Sequence, residues 1–125
     1  MVSIDSSFTE LKGTLLISRT DAIGDVVLSL PLLGLLKQYH PELTLLFLGR
    51  DYTLPILQAC QHLDQAFDWV AWQQLSAKQQ RAQAKAFNID YWLHLLPNRA
   101  LSRLSFQAGV PYRFGTAHRW YHWLW

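Results

Sequence analysis

The chain is 125 residues long, half of them hydrophobic, 14% aromatic and 16% charged, with a formal net charge of +2. That length is one ordinary domain, and that apolar content excludes disordered, collagen-like and low-complexity classes. The mild positive charge makes no case for a nucleic-acid partner, which needs a dense basic stripe. The lone Cys60 excludes an internal disulfide and a cysteine metal cage, and reads as a small buried apolar thiol. Residues 1–7 lack the charged-then-apolar pattern of a signal peptide. The longest greasy stretch, 26–36, is interrupted by Ser29, Pro31 and Gly34 and falls short of the ~20 residues that span a bilayer. The expected compartment is therefore the cytoplasm.

Along the chain, short apolar runs alternate with helix-length segments. Residues 14–18 have the length of a strand. Residues 24–39 have the length of a helix, ending before His40-Pro41. A second apolar run, 43–48, stops at Gly49, and 53–62 reads as a short helix with Pro55 tolerated in its first turn. Residues 66–70 are a third strand candidate. The Ala/Gln/Lys/Arg-rich 75–87 predicts a helix stopped by Asn88, and 91–95 a fourth strand. Residues 100–108 predict a last helix capped by Gly109, followed by a short strand over 112–114.

Strands without polar alternation mean a parallel sheet covered on both faces. The expected fold class is α/β, a doubly wound, mostly parallel Rossmann-like sheet with right-handed crossovers. The first helix, greasy nearly all round, is expected to be buried and to bend at Pro31.

Ligands of such sheets sit beyond the carboxyl ends of the strands. The residues expected there are Arg19-Thr20-Asp21, Gly49-Arg50-Asp51, Trp72, Pro97-Asn98-Arg99 and Gly115-Thr116. Polar surface loops account for such a set equally well. The loop 19–25 is no phosphate loop. It has one glycine, lacks a Gly-Lys-Ser/Thr ending, and carries Asp21 and Asp25, which repel a pyrophosphate. Asp25 reads either as a stabilising acid at a helix start or as a general base. As a base it would take the proton of a sugar hydroxyl as that oxygen bonds to an electrophilic carbon. Gly24 would let a substrate approach the backbone, and Asp21 is the second choice for the base.

Residues 15–31, LLISRTDAIGDVVLSLP, resemble the N-terminal motif of the ADP-heptose:lipopolysaccharide heptosyltransferases, glycosyltransferase family 9. The segments His40-Pro41-Glu42, 90–99 (DYWLHLLPNR) and 108–115 (AGVPYRFG) are similar to further family elements. The resemblance implies the N-terminal, acceptor-binding half of a GT-B fold. It implies an inverting, metal-independent transfer of heptose from an ADP-sugar donor to an inner-core lipopolysaccharide acceptor, with no cofactor. Asp25 takes the place of the family's general base. Arg19, Thr20, Asp21, Gly24, Arg50, Arg99 and Arg113 become candidates for acceptor binding, the arginines because guanidinium forks suit carboxylate and phosphate oxygens. The donor site is expected in a second domain, outside residues 1–125. Residues 116–125 read as the start of a helix without a stop signal. The location implied is the cytoplasm, with peripheral contact at the inner face of the inner membrane. His118 and His122 lack a third ligand, so no metal is expected. His94 reads as a strand-end packing residue. The competing readings are a non-enzymatic remnant that binds a partner or a membrane through its aromatic tail, and a nucleotide-binding module with Asp51 on a ribose. Missing glycines weigh against the latter.

Overall fold

Five parallel strands run in the order β3-β2-β1-β4-β5 in a computed structural model that describes residues 11–20, 23–96 and 98–115. The strands are β1 (Gly13–Ser18), β2 (Leu43–Gly49), β3 (Gln65–Asp68), β4 (Tyr91–His94) and β5 (Tyr112–Gly115). The helices are α1 (Ile23–Tyr39), α2 (Leu54–Gln58), α3 (Trp69–Gln73), α4 (Ala77–Ala86) and α5 (Arg99–Gln107). A 3-10 turn, Asp51–Thr53, leads into α2.

Side chains alternate between the faces of a strand, and here both faces are dry. Leu15, Ile17, Leu43, Leu45 and Phe47 meet Val26 and Leu33 of α1 and Leu57 of α2. Their neighbours Leu16, Leu46, Leu48 and Trp92 meet Trp69 and Trp72 of α3, Ala84 of α4, and Leu101 and Leu104 of α5. This two-sided burial is why the central strands read as unbroken apolar runs. Each buried Leu or Phe contributes about 1.5–3 kcal/mol. Two helices on one face and three on the other make the sheet doubly wound. Strand order reverses between β1 and β4, and that crevice is where such folds take ligands.

Local signals fix the helix ends. Ser76 and Gln79 form a reciprocal capping box at the start of α4. Asn88, with φ 52°, follows its end. At the end of α5, the Val110 amide donates to the Ser105 carbonyl and the Gly109 amide to that of Phe106. This pairing needs the left-handed conformation that Gly109 adopts, with φ 74°. Gly13 is the other constrained glycine. Its φ is 105°, and a Cβ there would collide with the Asp90 carboxylate, which accepts the Thr14 amide at 2.9 Å.

Two expectations are corrected. The third strand ends at Asp68, not Val70, because the Asp68 carboxylate accepts the Val70 amide at 2.8 Å and starts α3 there. Trp72 is accordingly buried in the core on α3, beside Phe67 and Phe87, and not at the ligand edge. The first helix is also not buried all round. Val26 and Leu33 face the core, but Val27, Leu28, Pro31 and Leu35 are exposed, Leu28 by 78%. A helix lying on a sheet buries only the side it turns to that sheet, so apolar residues on its far side stay outside. The thiol of Cys60 is partly buried against the α1–α2 side of the core. Among the described residues, no helix is long and apolar enough to cross a membrane.

Candidate functional site

The carboxyl ends of β1, β2 and β4 are tied together by one residue. The Arg19 amide donates to the Leu48 carbonyl at 3.1 Å. Its guanidinium donates through Nη1 to the Leu95 carbonyl at 3.3 Å and places Nη2 3.7 Å from Asp25 Oδ1. Arg19 thus spans the crevice at the reversal of strand order and meets Asp25 there.

Asp25 lies in the first turn of α1, where the unpaired amides of the helix start favour a negative charge. Its side chain is 47% exposed, so the carboxylate is open to a ligand and not shut in the interior. Gly24 precedes it on the exposed side of α1. Among the described residues a Cβ at Gly24 would meet nothing within 4 Å, so they place no demand for glycine there. Thr20 is half-buried at the start of the same loop. Asp21 lies outside the described residues, as do Pro97 and the segment 116–125 with His118 and His122.

The four candidate arginines do not converge. Arg50 follows β2, next to β1, is exposed, and lies 5.8 Å over the ring of Tyr52. Asp51 beside it is exposed and accepts the Tyr52 amide. Arg99 opens α5 and lines a groove between α4 and α5 with Arg81 and Arg103. Arg113 pairs in register with Trp92, whose side chain lies in the core under α3–α5, on the face opposite α1. Only Arg19 and Asp25 of the expected set form a described ion pair.

Sequence reasoning missed how His94 is held. His94 is 2% exposed and stacks on Trp92 at 5.5 Å. Trp92 Nε1 donates to Ser18 Oγ at 2.9 Å, and Ser18 Oγ lies 3.4 Å from His94 Nδ1. On the other side His94 Nε2 lies 3.3 Å from Ser105 Oγ, which donates to the Ser102 carbonyl at 2.8 Å. The directions follow by elimination. Trp Nε1 only donates and the Ser105 proton is spent on a carbonyl, so Nε2–H donates to Ser105, and Ser18 donates to Nδ1 when the ring carries that one proton. His94 joins a continuous buried chain from β4 through β1 to α5. This bears out the packing role. Serines eighty-seven positions apart leave no sequence signal for it.

Among the described residues no group of His, Cys, Asp or Glu is arranged to hold a metal ion. Burial pulls the Arg113 guanidinium below its ordinary value.

The fold is a Rossmann-like α/β domain of the kind found in GT-B glycosyltransferases. No established family profile matches the chain. Solved structures it resembles include a family 9 glycosyltransferase and heptosyltransferases. It matches the glycosyl transferase family 9 protein of Veillonella parvula with a TM-score of 0.72 at 20% identity, over 88% of this chain and 34% of that one. E. coli ADP-heptose lps heptosyltransferase II gives 0.68 at 17% identity, over 82% and 30%. E. coli heptosyltransferase WaaC, solved with ADP, gives 0.65 at 19% identity, over 82% and 34%. In sequence, the chain is 26% identical over 107 residues to a Haemophilus influenzae protein provisionally named a glycosyltransferase, covering 85% of this chain and 31% of that protein. The chain thus spans about a third of the length of these relatives.

Proposed function

We propose that this chain is the acceptor-binding domain of a family 9-like glycosyltransferase and that Asp25 is its general base. The observation that carries the reading is the placement of a half-exposed carboxylate in the first turn of α1, at the crevice where strand order reverses. The acceptor hydroxyl binds over Gly24, within reach of Asp25. As its oxygen bonds to the anomeric carbon of a nucleotide-activated sugar, its proton passes to the carboxylate, and the bond from that carbon to the nucleotide phosphate breaks. Attack from the face opposite the departing phosphate inverts the configuration. Arg19 orients Asp25 by contact with one carboxylate oxygen, leaving the other to take the proton.

The ADP-bound state of WaaC, and the capture of another WaaC structure with ADP-2-deoxy-2-fluoro heptose, support an ADP-sugar donor. The donor binds a second domain. The acceptor is an anionic lipopolysaccharide precursor, met at the inner face of the membrane. The resemblance of residues 15–31 to the family motif supports heptose as the sugar moved. The deciding test is Asp25→Asn in a two-domain enzyme that carries this sequence as its first domain. A general base contributes about 10²- to 10⁴-fold, so kcat should fall by that factor with folding intact. A variant that keeps near-normal turnover of ADP-heptose overturns the assignment.

A further inference from the structure

Charge in this domain is sorted by sheet face. Residues 1–68 carry four Lys or Arg against eight acids, and residues 69–115 carry six against one, Asp90. The second stretch supplies α3, α4 and α5, which cover the face of the sheet opposite α1. Asp90 itself lies just before β4, where its carboxylate accepts the Thr14 amide. We propose that the outer face of α4 and α5 is a docking surface for an anionic lipid bilayer.

Helix periodicity builds that face. In α4, Ala84 turns to the core, which leaves Lys78, Ala82 and Lys85 exposed, with Arg81 half-buried on the flank toward α5. In α5, Leu101, Ser102, Leu104 and Ser105 are buried, and Arg99, Ala100, Arg103 and Phe106 are exposed. Arg81, Arg99 and Arg103 share the groove between the two helices, and no carboxylate lines it. Among the described residues no carboxylate pairs with Lys78, Arg81 or Lys85. Lys78 and Lys85 stand about 10 Å apart along the helix axis, comparable with the screening length at physiological salt. The cations of the two helices therefore act together on a plane of negative charge.

A bilayer fits this distribution better than a flexible polyanion does. A plane meets one face only, so the acids around α1 and α2 (Asp25, Glu42, Asp51 and Asp64) oppose it little, whereas a strand that wraps the domain meets them. The exposed residues between the cations are Ala and Gln, and Phe106, 49% exposed, is the one aromatic residue of the two helices. That offers no row of stacking platforms for bases, but one ring able to enter the headgroup layer. Binding of this kind is shallow and reversible, and each Lys or Arg near the surface adds about fivefold to it. Arg99 opens α5 directly after β4, so the basic face reaches the carboxyl edge of the sheet. Docking there leaves that edge, with Asp25, open at the rim of the contact, where a lipid-borne acceptor can enter. Only this last point rests on the transfer reading.

The test is cosedimentation of the whole chain with sucrose-loaded vesicles of phosphatidylcholine, alone or with about 30% phosphatidylglycerol, in about 50 mM and about 500 mM sodium chloride. Binding is expected to the anionic vesicles at low salt, falling at least about tenfold at high salt, with none to phosphatidylcholine alone. Lys78→Gln combined with Lys85→Gln should weaken it about 25-fold while keeping the circular dichroism of the parent, since Gln is a good helix former. Lys12→Gln removes an exposed cation outside this face and should change binding by less than about twofold. Asp25→Asn should also bind like the parent, so this surface and the assignment of the base fail separately. The proposal is overturned if the anionic vesicles do not bind at low salt, if the double variant binds like the parent, or if Lys12→Gln costs as much as the double variant. Equal binding to phosphatidylcholine alone overturns it too, and assigns the contact to the apolar side of α1. So does release by inorganic phosphate at matched ionic strength, or tighter binding to a single-stranded oligonucleotide than to the vesicles.

Discussion

Replacing Ser18 by Ala tests whether the buried polar chain through His94 has the directions assigned to it. Ser18 accepts from Trp92 Nε1 at 2.9 Å and donates to His94 Nδ1 across 3.4 Å. Its loss strands two buried groups, one on a Trp 0% exposed and one on a His 2% exposed. A buried group left unsatisfied costs about 1–3 kcal/mol, and the longer contact belongs at the low end. The expected cost of Ser18→Ala is therefore about 3 kcal/mol. With a urea m-value of about 1.5 kcal/mol/M, the midpoint should fall by about 2 M. Ser105→Ala strands one group, His94 Nε2–H, at 3.3 Å, and should cost about 1–1.5 kcal/mol. Urea unfolding followed by far-UV circular dichroism measures both. The assignment fails if Ser18→Ala shifts the midpoint by less than Ser105→Ala, or if neither moves it.

Gly24→Ala separates fold from function. With open space at its Cβ, the substitution should leave stability unchanged or raise it by about 0.5 kcal/mol, while acceptor binding measured by calorimetry weakens. Unchanged acceptor affinity would remove Gly24 from the site. Gly13→Ala should cost at least about 1–3 kcal/mol in thermal unfolding, since it strains a positive φ and pushes on the Asp90 carboxylate. Asp25→Asn should alter stability by less than about 1 kcal/mol, because its pair with Arg19 is partly exposed and 3.7 Å long. A large loss of stability would make Asp25 a structural acid. Finally, residues 1–125 alone should release no ADP from ADP-heptose in a coupled assay, and turnover would contradict a donor site on a second domain.

The sheet was readable because each central strand is buried on both faces and must be apolar throughout. The helix stops were readable because Asn88 and Gly109 take left-handed conformations few residues accept. The boundary at Asp68 was not, because a capping carboxylate inside the run AFDWV looks like a polar interruption of a strand. The placement of Asp25 at the start of α1 was readable because it depends on a single strand-to-helix turn. The arginines were not, because Arg19 and Arg113 differ in sheet face and partners, which only strand order and register decide. The surroundings of α1 were misread for a related reason. An apolar residue says that water should be excluded, not what excludes it.

The bare outer side of α1 has a practical consequence at the bench. Val27, Leu28 and Leu35 offer a greasy surface with no charge between 26 and 36 to keep two molecules apart. Adding salt, a common remedy for clumping of a basic protein, is expected to favour contact between such surfaces. Sulfate in particular is excluded from protein surfaces and tightens such associations. Dilute, low-salt storage is the condition under which single molecules should persist.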